Sequence, residues 1–327
     1  MIELSDLTTV GRDLNRPECV LSTSDGDFFV SHRGHGVSRI CADGTQLHLA
    51  PETSHGGFPL LPNGIALRND GSFLIANISD AGGIFELNEA GVRPFITKVN
   101  GDASPPINFV IVDEDDRIWF SVSSTFSPRH LAYRRDVKNG YVGIVEDGKA
   151  RIVLEGLHYT NEIRPDIENG WLYVSETFSQ LISRFPLRAD GTLGKGEVFA
   201  HFPKGAFVDG IALDEDGGLW AACIVSNELY HIPKGGIPEV YFGERNPSWV
   251  NEVEQVLNRE EMDRTHFDHA PTSILRNIAS VAFHGSALDQ LCCGCLLGDK
   301  LVSAKAPVKG KAPVHWDVKV PHWGTRF

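Results

Sequence analysis

Short apolar runs and polar turn clusters alternate along this chain in one recurring phrase. Each copy has a polar leading residue, an apolar run, an Asp/Asn/Gly turn and a second apolar run. Copies begin at Glu18 (ECVLSTSDGDFFVS), Asn63 (NGIALRNDGSFLIA), Asn108 (NFVIVDEDDRIWFS), Asn161 (NEIRPDIENGWLYVS) and Asp209 (DGIALDEDGGLWAA), with a worn sixth near Ser280 (SVAFHGSALDQLCC). The runs are rich in Val, Ile, Leu, Phe and Trp and are bounded by turn formers, which predicts strands buried on both faces. Gly26, Gly71, Asp116, Asn169 and Gly217 each lie 8 residues after the leading residue, at the predicted turn.

Successive leading residues are 45, 45, 53, 48 and 71 positions apart. A period of ~40–50 residues with several strands per unit is the signature of a β-propeller. Third and fourth strands follow as GVSRI, GGIFEL, YVGIVED with ARIVL, QLISRFPL, NELYHIPK and DKLVSAK. The expected fold is all-β: a six-bladed β-propeller of four-stranded antiparallel blades, one domain over residues 1–327. An insertion over about 241–277 accounts for the longest gap. In it Trp249, Val253, Val256 and Leu257 recur at helical spacing, which predicts a short helix before the last blade. That helix would serve as a lid or a homodimer contact, or simply decorate the ring. The tail segment VHWDVKV is expected to help close the ring.

Composition narrows the partners. With 30 basic and 43 acidic residues the net charge is −13. This argues against nucleic acid and anionic membranes and suits cation binding. The N-terminus shows no signal-peptide pattern and no apolar stretch reaches membrane-spanning length, so a cytoplasmic location with reduced thiols is expected. Cys292, Cys293 and Cys295 lack paired C-x-x-C spacing and occupy the place of an apolar second strand. They are read as strand filler.

Equivalent positions in a propeller lie on a circle around the central axis. Glu18, Asn108, Asn161 and Asp209 would therefore bring two carboxylates and two amide oxygens to one point. Hard divalent cations take such ligands, which points to Ca²⁺ first, with Mg²⁺, Mn²⁺ or Zn²⁺ as alternatives. Asn63 has the right position but is read as a bystander. Residues just past the second strands should form the wall of a small-molecule pocket. They are His35 (with His32 and Arg33), Asn77, Ser123, Phe126, Glu176 and Phe178, with His158 on an entry loop.

The phrases RPECVLSTSDGDFFVS, LPNGIALRNDGSFLIAN, VDGIALDEDGGLWAA and the SVAFHG unit resemble the gluconolactonase/regucalcin (senescence marker protein) family of six-bladed propellers. The resemblance runs from about Arg16 to Ser303. It implies Glu18, Asn161 and Asp209 as metal ligands and Asn108 as a ligand or substrate contact. It implies metal-dependent hydrolysis of a lactone, with Asp209 as general base. Three positions depart from the family pattern: Pro106 where an Arg is usual, Phe109 where a small or acidic residue is usual, and Glu162 in place of Gly. These shift the expected substrate from a polyhydroxy sugar lactone toward a more apolar lactone or ester. Two alternatives remain beside a lactonase. One is a metal-dependent hydrolase of another substrate, such as a phosphoester. The other is a non-catalytic ligand-binding propeller with a structural ion.

Overall fold

In a computed structural model, residues 2–50, 54–55 and 58–327 are described, and six antiparallel sheets are arranged as the blades of a propeller. Each blade is built from the repeated phrase. In the second, for example, Pro62–Leu67, Phe73–Asn77, Ile84–Asn88 and Gly91–Ile96 pair in order. The third blade gains two short outer strands, Lys98–Val99 and Asp102–Ala103.

The inner two strands of every blade are almost wholly buried, because neighbouring blades cover both their faces. Phe29, Phe73, Trp119, Phe120, Trp220 and Phe207 are essentially inaccessible to solvent. These continuous apolar runs read as buried strands for that reason. The turn of each phrase needs a left-handed residue, supplied by Gly26, Gly71, Asp116 and Gly217. In the fourth phrase the left-handed residue is Gly170, not Asn169, because that copy is one residue longer. Asp113 and Asp214 cap their own turns and accept the indole N–H of Trp119 (2.8 Å) and Trp220 (3.2 Å). The Asp of DEDD and DEDG is therefore architectural.

The ring is closed by the N-terminal strand Thr8–Val10, which pairs with Leu301–Lys305 as the outer strand of the sixth blade. The tail segment VHWDVKV does not perform this closure. Its backbone is committed to turns, with Trp316 N–H donating to Pro313 O and Val318 N–H to His315 O. Only Thr325–Arg326 pairs as a strand, on the outer strand Gln46–His48 of the first blade. The three clustered cysteines lie buried in strand Gln290–Cys295, and all six cysteines are free.

The insertion forms helix α1, Pro247–Asn258. Its start is capped by the Asn246 side chain accepting from Trp249 N–H, with Pro247 at the first helical position, where a missing N–H costs nothing. The helix buries Val250, Val253, Val256 and Leu257 against Tyr133, Tyr159, Phe178, Phe207 and Ile224. Glu254 fixes it from below. The carboxylate accepts from Arg135 (2.8 Å), Gln180 (2.5 Å) and the Gly205 amide (2.7 Å). Among the described residues no helix is long and apolar enough to cross a membrane.

Candidate active site

Three of the leading residues sit inside β-bulges. The ladder register shifts between Pro62 and Ile65, between Thr160 and Ile163, and between Val208 and Ile211, and these steps enclose Asn63, Asn161 and Asp209. A bulge bends its strand and re-aims a side chain. Asn108 instead immediately precedes its inner strand, Phe109–Val112, and Glu18 lies two residues before its own, Val20–Ser22. The outcome is a single cavity of about 350 Å³ lined by Glu18, Asn63, Asn108, Asn161 and Asp209. Such a volume suits a small-molecule ligand.

Crowding on the axis explains the residue that follows each leading position. A Cβ on Gly64 would lie 2.6 Å from the Phe109 ring, and one on Gly210 would lie 2.5 Å from Ala279 O and 3.0 Å from Glu162 Oε1. A small residue in one blade thus makes room for a large one in its neighbour at two places. Phe109 and Glu162, two of the three departures in the sequence, occupy space that Gly64 and Gly210 leave. Glu162 is tied to Arg164 at 2.9 Å and to the Ile211 amide at 3.1 Å. Burial, opposed by Arg164, raises its pKa to about 7.

A chain of amides links the site residues. Asn63 Nδ2 donates to Asn108 O (3.0 Å), Asn108 Nδ2 donates to Asn161 Oδ1, and Asn161 Nδ2 donates to Thr177 Oγ1 (3.1 Å). Thr177 in turn donates to Val208 O (2.9 Å), next to Asp209. Asn63 thus holds the Asn108 backbone as well as lining the cavity. Arg16 pairs with Glu18 at 2.6 Å. The Asp209 carboxylate receives no hydrogen bond or ion pair from any described residue. Burial, then the Glu18 and Glu162 carboxylates, push its pKa well above the usual carboxylate range. A buried carboxylate without a donor is costly unless a cation compensates it. Oxygens of Glu18, Asn108, Asn161 and Asp209 could hold one. With only two carboxylates among them, no cluster of three His, Cys, Asp or Glu occurs among the described residues.

The predicted wall residues divide. Arg33 and Phe178 line the cavity; His35, Asn77, Ser123, Phe126, His158 and Glu176 do not. Asn77 is inaccessible and spends its amide on Leu61 N, Ser79 N and Gly82 O. Glu176 accepts from the His158 amide (2.7 Å) and from Ser183. His35 stacks on His48 at 3.7 Å, in a ring cluster with His32 and Phe327. Phe126 is 43% exposed. Ser123 touches the site only through Arg129, at 3.4 Å.

The sequence reading missed Arg16, Arg129, Arg264, Tyr133 and Tyr159, all of which line the cavity. Arg16 and Tyr159 share one offset, two residues before Glu18 and Asn161, but that offset holds the apolar Leu61, Pro106 and Phe207 in the other phrases, so the repeat did not mark it; Arg129, Tyr133 and Arg264 lie outside the repeated phrase. Arg129 lies in the 3-10 turn Arg129–Ala132 between the second and third strands of blade three. It donates to Asn108 Oδ1 (3.2 Å) and Tyr159 Oη (2.9 Å). Arg264, Phe267 and Asp268 come from the insertion beyond α1, which therefore walls the cavity. Arg264 pairs with Asp268 at 2.9 Å. Partial desolvation, followed by repulsion from Arg16 and Arg264, lowers the pKa of Arg33.

The structure is thus a closed six-bladed β-propeller whose inner strands bring polar side chains to one cavity. The model of the SMP-30/Gluconolactonase/LRE-like region matches residues 17–250, and the chain belongs to that family. The matched segment contains all five leading residues that line the cavity. The chain is 25% identical over 191 residues to a 6-deoxy-6-sulfogluconolactonase of Pseudomonas putida, a match covering 56% of this chain and 62% of that relative. Among solved structures, a gluconolactonase from Xanthomonas campestris superposes with a TM-score of 0.68 at 19% identity, covering 92% of this chain and 89% of that one. A calcium-binding protein, regucalcin, from Agrobacterium tumefaciens superposes with a TM-score of 0.61 at 16% identity, covering 95% and 98%. At these identities the structural likenesses establish the fold.

Proposed function

We propose that the chain is a metal-dependent lactonase. The observation that carries the proposal is Asp209, a buried carboxylate facing the cavity with no donor from the protein, beside Asn108, Asn161 and Glu18. The lactonase reading also draws on the relatives that are lactonases by name, and the cation on the calcium-binding neighbour.

A divalent cation held by Glu18, Asn161 and Asp209, with Asn108 as a further ligand or a substrate contact, would supply Lewis-acid stabilisation of the developing oxyanion. Ca²⁺ is the first candidate for this all-oxygen set, with Mg²⁺, Mn²⁺ and Zn²⁺ as alternatives. The chain's own residues do the rest. Asp209 accepts the proton that water loses as its oxygen bonds to the lactone carbonyl carbon. The ring C–O bond then breaks, and the departing ring oxygen takes up a proton to give the hydroxy acid. Asn108 orients the carbonyl, and its own position is fixed by Asn63, Asn161 and Arg129. Arg16 holds the Glu18 carboxylate. Tyr133, Tyr159 and Phe178 limit water on one side of the cavity.

The test is hydrolysis of a lactone panel followed by proton release, before and after exhaustive chelation, with each cation added back. Activity should vanish on chelation and return with one cation. Asp209→Ala should lower kcat by about 10³-fold or more, within the usual range for loss of a general base. Full activity after complete metal removal would refute the cation, and no turnover of any lactone would refute the lactonase.

A further inference from the structure

The cavity that holds the candidate ligands is lined by four arginines, Arg16, Arg33, Arg129 and Arg264. Two are neutralised locally, Arg16 by Glu18 and Arg264 by Asp268. The other two have no carboxylate partner among the described residues. Arg33 stands exposed at the rim, and its side chain makes no hydrogen bond with the described residues. Arg129 is half-buried and bonds only neutral groups: the Asn108 amide oxygen, Ser123 Oγ and Tyr159 Oη. All three bonds use one terminal nitrogen, Nη2, which leaves the rest of the guanidinium fork unpaired. Its face lies over the Tyr159 ring at 5.7 Å.

A guanidinium drawn out of water without an opposite charge is costly. It is also the group best shaped to take a carboxylate or another oxyanion through two parallel N–H donors. Loading a divalent cation on Glu18 and Asp209 would weaken the hold of Glu18 on Arg16, making the wall still more positive. Neither Pro106 nor Phe109 lines this cavity; Ile78, Phe178, Ile224, Phe267 and Leu296 supply its apolar part, beside the four arginines. Pro106 leaves no arginine two residues before Asn108, but Arg129 reaches Asn108 from a different loop.

We propose that the lactone substrate carries a second, acidic group, a carboxylate or sulfonate, and that Arg33 and Arg129 recognise it. This rests on the lactonase reading of the same site and names its substrate class. Arg129 touches the carbonyl-orienting Asn108, so the anion lies next to the reacting ring. Arg33, at the rim, meets the substrate first and steers it. The insertion contributes Arg264 to the same cavity.

The experiment compares three lactones with the same ring: gluconolactone with its neutral 6-hydroxymethyl group, glucarolactone with a 6-carboxylate, and the 6-sulfonate analogue. Wild-type kcat/KM should be at least about 10-fold higher for one or both acidic lactones, and that preference should shrink as salt is raised. Arg33→Gln should raise KM for the acidic lactones about 10-fold, leave kcat within about 2-fold, and leave the neutral lactone unchanged, by the cost of one charge-assisted hydrogen bond. Arg129→Gln should lower kcat on all three lactones, because Arg129 also holds Asn108, and should add a further rise in KM on the acidic ones alone; thermal unfolding of each variant checks that it is folded. Equal handling of acidic and neutral lactones, or equal losses on both, overturns the proposal while leaving the lactonase intact. A separate measurement covers the opposite case. Glucarate and gluconate, the ring-opened acids, are titrated calorimetrically into the Asp209→Asn protein and into its double variant with Arg33→Gln. Tighter binding of glucarate that depends on Arg33 supports the anion site even if no lactone is hydrolysed. Equal binding of the two acids overturns it.

Discussion

Glu254 offers a sharp test of how the insertion is held over the cavity. Its carboxylate is buried beneath α1 and accepts three hydrogen bonds, from Arg135, Gln180 and Gly205. Glu254→Ala removes the acceptor and strands three donors. A buried donor left unsatisfied costs about 1–3 kcal/mol. Arg135 is 37% exposed in its side chain, so its loss is discounted toward the ~0–1 kcal/mol of a surface pair. The sum is about 2–7 kcal/mol. At roughly 2 °C per kcal/mol for a chain of this size, the thermal midpoint should fall by about 4–14 °C. The same change frees the wall that carries Arg264, Phe267 and Asp268, so substrate KM should rise. Calorimetry reads the midpoint, and amide exchange at Gly205 reads the local release. A charge effect accompanies this. Burial tends to raise the Glu254 pKa, but Arg135, Gln180 and Gly205 outweigh it, and the net pKa is lowered. The clamp's contribution is therefore fully present above the ordinary carboxylate pKa of 4.5. It is lost as pH falls through the depressed folded-state value. A midpoint within about 1 °C of wild type, with Gly205 exchange unchanged, would sink the reasoning.

Other consequences can be checked in parallel. Gly210→Ala forces a Cβ to within 2.5 Å of Ala279 O and 2.6 Å of Ser280 Cα, so it should destabilise by about 1–3 kcal/mol in urea unfolding, as overpacking does, and lower activity by shifting Asp209. Asn63→Ala removes one hydrogen bond to the Asn108 carbonyl and should cost about 1 kcal/mol of stability, with kcat falling far less than for Asp209→Ala. His32 is buried with neither ring nitrogen bonded, and burial, then His35, lower its pKa from 6.5 to about 4. The unfolded state binds the extra proton between those values. The stability associated with neutral His32 is thus full above about pH 6.5 and is lost as pH falls toward 4, by up to about 3 kcal/mol. His32→Phe should flatten that part of the stability–pH curve, and an unchanged curve would count against it.

The ring was legible because its cause is local. Each strand–turn–strand phrase specifies its own hairpin through apolar runs and a left-handed turn residue. Repetition at 45 to 53 residues leaves few other ways to bury the strands. Glu18, Asn63, Asn108, Asn161 and Asp209 were legible for the same reason, since equivalent positions in a repeat converge on the axis. The wall residues were harder. Asn77, Ser123 and Glu176 sit at the expected strand ends, yet Asn77 and Glu176 are consumed by neighbouring backbone and side-chain groups, and Ser123 only supports Arg129. Nothing in strand periodicity distinguishes a side chain that lines a cavity from one that satisfies a loop.

The sequence alone determined the architecture and the convergence of five polar residues, because both follow from a repeat that each blade enforces by itself. Tertiary structure decided what surrounds that point. The blade-three loop and the insertion beyond α1 lie far apart in sequence and share no periodicity. Packing of α1 on Tyr133, Tyr159 and Phe178, anchored by Glu254, brings Arg264 to the cavity that Arg129 also lines. The positive wall is a product of long-range packing, and only the folded chain displays it.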